Sequence, residues 1–223
     1  WRQPVGSAWS GFVVVGNRAI TQEQNGGEEW VSAFDVMDGR RLWTHTNEAR
    51  YATTIAGEGP RATPTVVSNR VYTLGATGQL HCLDLATGRS LWSRSLTQDA
   101  SGPVPEWGFA GSPWVDSQRV VVQAGGRDGR AVLAYRPDTG EPLWNAGDAG
   151  INYGSPIQVT LAGQPQLLVF GRKSLVSHNP STGAVLWEHP FGTGMPLVAN
   201  PIVVTHNQIL ITAGYSVGAE LLE

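Results

Sequence analysis

Apolar and polar residues alternate along this chain in short runs, and a cluster of turn-forming residues closes each run before it reaches helical length. In one stretch the pattern predicts four successive strands, Thr65 to Val67, Val71 to Leu74, Gln79 to Leu85 and Arg89 to Ser95. Between them stand Ser68-Asn69-Arg70, Gly75 to Gly78 and Ala86-Thr87-Gly88. Side chains alternate across a strand, so runs of this kind bury one face, and such short turns fold them into an antiparallel meander. No stretch carries a convincing helical period.

The meander recurs. Four cores share a pattern, Asp35 to Trp43, Asp84 to Trp92, Arg136 to Trp144 and Asn179 to Trp187, each with a glycine four residues before its tryptophan. Those glycines are Gly39, Gly88, Gly140 and Gly183, and the tryptophans follow one another at steps of 49, 52 and 43 residues. A second marker, a small or polar residue before proline, appears at Thr63-Pro64, Ser112-Pro113, Ser155-Pro156 and Asn200-Pro201, at steps of 49, 43 and 45. Two independent markers thus share one period, close to the ~40–50 residues of a four-stranded propeller blade. Proline at a strand start costs no ladder hydrogen bond, so the second marker opens each first strand.

The expected fold is an all-β β-propeller of four-stranded antiparallel blades over 9–49, 59–98, 108–149 and 152–191, with an incomplete fifth over 196–223. Trp1-Arg2-Gln3-Pro4 resembles Trp187-Glu188-His189-Pro190 at the start of an outer strand. Two arrangements follow. Residues 1–5 complete the fifth blade and close a five-blade ring, or the chain is part of a larger propeller with two open edges.

Composition narrows the partners. Twenty-eight glycines, fourteen prolines and nine tryptophans suit turns and packed strands better than helices. Charged residues make up 15% and the net charge is −3, which leaves no basic face for nucleic acid or anionic lipid. The longest apolar runs, Phe12 to Val15 and Leu167 to Phe170, fall far short of the ~20 residues of a transmembrane helix. Cys82 is the single cysteine, which excludes intrachain disulfides and Cys-x-x-Cys metal or haem motifs. The chain opens at Trp1 with no basic and apolar leader, as a segment or a mature form would.

At the repeat cores the chain resembles the quinoprotein-type propellers, the pyrroloquinoline-quinone-like repeat family, whose signature is Ala-x-Asp-x-x-x-Gly-x-x-x-Trp. Ala33, Asp35, Gly39 and Trp43 match it in full. The second copy has Cys82 with Asp84, Gly88 and Trp92; the third has Ala134, Arg136, Gly140 and Trp144; the fourth has Ser177, Asn179, Gly183 and Trp187. The resemblance implies that each tryptophan docks between adjacent blades. It implies an activity only weakly, because the motif is structural and occurs in quinone-dependent alcohol and sugar dehydrogenases as well as in cofactor-free scaffolds. One such scaffold is the lipoprotein of the outer-membrane barrel assembly machinery. Gly59-Pro60-Arg61-Ala62-Thr63-Pro64-Thr65-Val66 and Pro105-Glu106-Trp107-Gly108 are similar to a bacterial extracytoplasmic branch that brings no assigned reaction. A periplasmic or otherwise extracytoplasmic location is inherited from the same resemblance.

In a propeller, the loops entering the first strand and those joining the second and third share one face, where sites gather. On that face the candidate ligand-binding residues are Tyr51, Arg61, Glu106, Trp107, Asn152, Tyr153, Arg172 and Lys173. Glu106 beside Trp107 offers a carboxylate and an aromatic for a sugar or a quinone, or else Trp107 only covers the blade edge. Arg61, Arg172 and Lys173 either converge on an anion or form solvated pairs with Glu58 or Asp128. Glu23, Glu28 and Glu29 lack the alternating order of a calcium loop and read as a solvated hairpin over Gln22 to Glu29. His45, His81, His178, His189 and His206 show no metal-binding spacing. No nucleophile elbow, phosphate-binding loop or dinucleotide fingerprint appears either, so no catalytic or metal residue is assigned.

The leading expectation is a non-enzymatic platform that needs no cofactor and holds a protein partner or small molecule on its loop face. The alternative is a dehydrogenase or part of one, which would need pyrroloquinoline quinone, a calcium site and an aspartate base. One cysteine in the whole chain counts against that alternative, since the family's dehydrogenases often carry adjacent cysteines against the cofactor.

Overall fold

The computed structural model describes all residues from Trp1 to Glu223. The first blade runs β1 (Val13–Val15), β2 (Arg18–Asn25), β3 (Glu28–Asp35) and β4 (Arg41–Glu48). A two-stranded hairpin, β5 (Ala52–Thr53) and β6 (Gly57–Glu58), leads into the second blade of β7 (Thr65–Val67), β8 (Arg70–Leu74), β9 (Gln79–Asp84) and β10 (Ser90–Ser95). After a four-residue helix α1 (Leu96–Asp99) comes the third blade, β11 (Trp114–Val115), β12 (Val120–Gln123), β13 (Val132–Tyr135) and β14 (Pro142–Ala146). The fourth is β15 (Ile157–Leu161), β16 (Gln164–Phe170), β17 (Ser174–His178) and β18 (Val185–Pro190). The fifth has three strands, β19 (Ile202–Val203), β20 (Ile209–Ala213) and β21 (Gly218–Leu222). Every pairing is antiparallel between sequential strands, as a meander requires.

The repeat signature has a physical cause at each position. Ala33, Cys82, Ala134 and Ser177 are the cross-strand partners of Trp43, Trp92, Trp144 and Trp187, so only a small residue leaves room beside the indole. Each of these third-to-fourth strand ladders shifts register next to that pair, a bulge that turns the ring out of the sheet. Asp35 and Asp84 accept from turn amides, Met37 N at 2.8 Å and Thr87 N at 2.9 Å, and Asn179 accepts from Ser181 N at 2.8 Å. Asn can therefore stand for Asp, whereas Arg136 has no oxygen to offer.

The first three of these tryptophans reach forward by one blade, while the Trp187 indole N–H donates to Gln166 Oε1 of its own blade at 2.7 Å. The Trp43 ring lies against Gly88, Trp92 against Gly140 and Trp144 against Gly183. The indole N–H of Trp43 donates to Leu85 O at 3.1 Å, and that of Trp92 to Pro137 O at 2.9 Å. The same slot on the first blade holds Trp1, whose ring lies against Gly39 and whose N–H donates to Val36 O at 2.8 Å. Residues 1–5 form no strand, and β21 pairs only with β20. Completion of the fifth blade by residues 1–5 is therefore not what the structure holds. Trp1 does fill an outer-strand tryptophan's place, but against the first blade.

The pre-proline marker joins the blades at their inner strands. Gly11 N donates to Thr63 Oγ1 at 3.0 Å, Thr63 N to Ser112 Oγ at 3.0 Å, Ser112 N to Ser155 Oγ at 2.9 Å and Ser155 N to Asn200 Oδ1 at 3.0 Å. One hydrogen bond per seam thus runs through all five blades. Apolar cores sit in the seams, thirteen buried residues between the second and third blades, nine between the fourth and fifth, six between the first and second, and five between the third and fourth.

The first hairpin departs from the solvated expectation. Glu23 and Glu29 are buried, at 1% and 7% exposure. The amino-terminal segment covers Glu23, which accepts from Gly6 N at 2.6 Å and Ser32 Oγ at 2.5 Å and lies 3.3 Å from Arg41. Glu29 points into the seam with the second blade and accepts from Ala76 N at 3.0 Å.

Candidate functional site

Loops between blades place most of the candidate residues together. Tyr51 follows β4, Arg61 precedes β7, Glu106 and Trp107 precede β11, and Asn152 and Tyr153 precede β15. The Tyr51 hydroxyl donates to the Glu106 carbonyl. Trp107 and Tyr153 stack at 5.2 Å between centroids with their planes 24° apart. Together with Glu106, Asn152 and Arg172 they line a cavity of about 680 Å³ beside Pro103 to Pro105, Arg127, Asp148 and Met195.

Not every candidate reaches that cavity. The Arg61 guanidinium stacks on Tyr51 at 4.4 Å and donates to the carbonyls of Ala56 at 2.9 Å, Gly57 at 3.1 Å and Gly59. It pins the β5–β6 hairpin and makes no pair with Glu58, which Arg50 holds at 3.0 Å instead. Lys173 lines an adjoining depression with Ser174, Glu188 and Pro190, which shares Ala149 and Arg172 with the cavity. Asn152 is buried and fully engaged, donating to Gly171 O at 2.8 Å and accepting from Leu197 N at 2.7 Å and Tyr153 N at 3.2 Å. It braces the loop and leaves no amide oxygen for a ligand.

Polar groups at the cavity mouth are free. Glu106, Arg127 and Arg172 are exposed and belong to none of the chain's ion pairs. Asp148 is partly engaged, accepting from Gly129 N at 2.6 Å. Burial pushes the Tyr51 and Tyr153 phenols above their ordinary range, so both are neutral donors at neutral pH. Burial also lowers the Arg61 guanidinium, with Tyr51 acting in the opposite direction.

Arg127 and Met195 escaped the sequence reading. Arg127 lies on the loop joining β12 to β13, one of the loops that the face rule covers, but no motif in that glycine-rich stretch singles it out. Met195, 42% exposed, stands in an irregular segment before β19 with no pattern to single it out.

These residues do not fit a calcium-held quinone. No three histidine, cysteine, aspartate or glutamate side chains converge anywhere in the chain. The one amide in the cavity is consumed by backbone partners, and hard cations need several oxygen donors at once. What the face offers is an aromatic stack flanked by arginines and a carboxylate.

Sheets of four strands, tryptophans handed from blade to blade and a cavity between entry loops define a β-propeller of the quinoprotein-like class. A family model described as outer membrane protein assembly factor BamB matches residues 27–220, and the chain belongs to that family. The assembly factor BamB of Burkholderia pseudomallei (strain K96243) is 25% identical over 190 residues, which cover 70% of this chain and 47% of that protein. A quinohemoprotein alcohol dehydrogenase, ADH IIB of Pseudomonas putida, is 28% identical over 135 residues, covering 56% of this chain and 19% of that protein. The crystal structure of BamB from Moraxella catarrhalis superposes with a TM-score of 0.65 at 19% identity, over 95% of this chain and 59% of that one, and shows the shared fold. The chain spans less than half the length of the curated relatives it matches.

Proposed function

We propose that this chain is a non-enzymatic propeller platform of the bacterial cell envelope that holds a protein partner on its loop face. The observation that carries the reading is the cavity between the entry loops, where stacked Trp107 and Tyr153 stand beside the unpaired charges of Arg172, Arg127 and Glu106. Aromatic and arginine side chains dominate the energetics of protein contacts. Membership in the BamB family supports both the partner class and a location outside the cytoplasm.

A second reading, part of a quinone-dependent dehydrogenase, is favoured by the identity to the Pseudomonas putida enzyme. Two experiments on the purified chain separate them. Calorimetric titration with pyrroloquinoline quinone, with and without calcium, is expected to show no binding; calcium-dependent binding with reduction of an acceptor overturns the platform. Co-purification from envelope extracts is expected to recover a stable partner, and combined Trp107→Ala and Arg172→Ala substitutions should lower that recovery about tenfold or more with Tm unchanged. Undiminished recovery would move the contact off this face.

A further inference from the structure

The seam between the first two blades contains a feature that neither the loop-face platform nor the tryptophan slots use. His45 on β4 and His81 on β9 meet across it, with ring centroids 5.0 Å apart and planes at 63°. Nε2 of His45 and both ring nitrogens of His81 are buried without a hydrogen-bond partner. Thr73, directly opposite His81 in the β8–β9 ladder and therefore on the same face, leaves its hydroxyl unpartnered as well. Buried polar atoms are normally satisfied, and each neutral imidazole has one nitrogen lone pair to direct at a shared partner.

The ring spacing suggests what that partner is. Imidazole nitrogens bind zinc at about 2.0–2.1 Å, and at tetrahedral angles this places the centroids of two ligating rings roughly 5 Å apart. Both histidines are partly exposed although these nitrogens are buried, so the pair lies just beneath the surface of the seam. They escape any linear motif because they come from different blades.

We propose that His45 and His81 bind one divalent transition-metal ion of the imidazole-preferring class, zinc, cobalt, nickel or copper, with water or the Thr73 hydroxyl completing its shell. The ion clasps the first blade to the second. The carboxyl in this seam, Glu29, is engaged by Ala76 N, and the pair itself offers imidazole nitrogens rather than oxygens, so magnesium and calcium are poor candidates.

The test uses the full chain stripped with a chelator and titrated at neutral pH with zinc or cobalt. Calorimetry should give one ion per chain, cobalt should develop a tetrahedral visible spectrum, and Tm should rise on loading. His45→Gln and His81→Gln should each weaken binding by about tenfold or more, while His206→Gln, at an exposed position, should not. Near-ultraviolet circular dichroism checks that each variant is folded, and if one is not, the other decides. Absence of saturable binding by the folded wild-type chain, or binding unchanged in the folded histidine variants, overturns the proposal.

Discussion

Glu29 shows how much one buried group can bias the molecule. Its carboxyl is held in the first seam by a single backbone N–H, and burial raises its pKa above the ordinary 4.5, against smaller lowering effects from Ala76 and Arg61. A raised carboxyl binds its proton more tightly in the folded chain than in the unfolded one. The stability it contributes is therefore full below about pH 4.5 and is lost as pH rises through the folded value. Glu29→Gln, which keeps an oxygen for Ala76 N, is expected to raise Tm at pH 7–8, with the gain shrinking toward pH 4. Thermal melts across that range check it, and a Tm lowered at neutral pH would mean that the charge is needed. This burial was not legible in the sequence, because Gln22 to Glu29 reads as polar when only its own chain is considered. The covering atoms come from Gly6 and Ala76.

At the scale of the element, the tight turn before each fourth strand is both a bend and a receptacle. Gly140 has φ of +71°, and a Cβ there would stand 2.7 Å from the Trp92 ring of the preceding blade. Gly140→Ala should cost about 2–5 kcal/mol, the sum of left-handed strain and a blocked slot. Gly163, at φ of +76° in the β15–β16 hairpin, has nothing within 4 Å of its would-be Cβ, so Gly163→Ala should cost only about 1 kcal/mol. Equal losses in denaturant unfolding would mean that strain alone sets the price. The strands and these turns were legible because glycine, the small residue opposite the indole and the tryptophan each answer a local demand. The site was legible only in part. Trp107 and Tyr153 were found from their loops, but Arg61 and Asn152, chosen for the same reason, are spent on backbone carbonyls and amides that no sequence spacing displays.

Across the whole molecule, each blade contacts only its sequence neighbours through a seam, so stability is close to a sum of nearest-neighbour terms. The seam between the second and third blades is the richest in buried apolar residues, and β21 of the three-stranded fifth blade pairs with β20 alone and is largely exposed. Amide hydrogen exchange should therefore be slowest in β8, β9, β12 and β13 and fastest in β20 and β21. Uniform protection along the chain would instead indicate a single cooperative unit.

The forward-reaching tryptophan also bears on how such a protein changes in length. The first three blades present the same plug, the second to fourth the same glycine-walled socket, and Trp1 fills that socket on the first blade. A ring-on-glycine joint that recurs from blade to blade carries no count. Duplication or deletion of one of these repeats would leave a tryptophan facing a glycine socket on both sides of the cut, so copy number could change with the plug and socket kept and only the apolar seam around them left to repack.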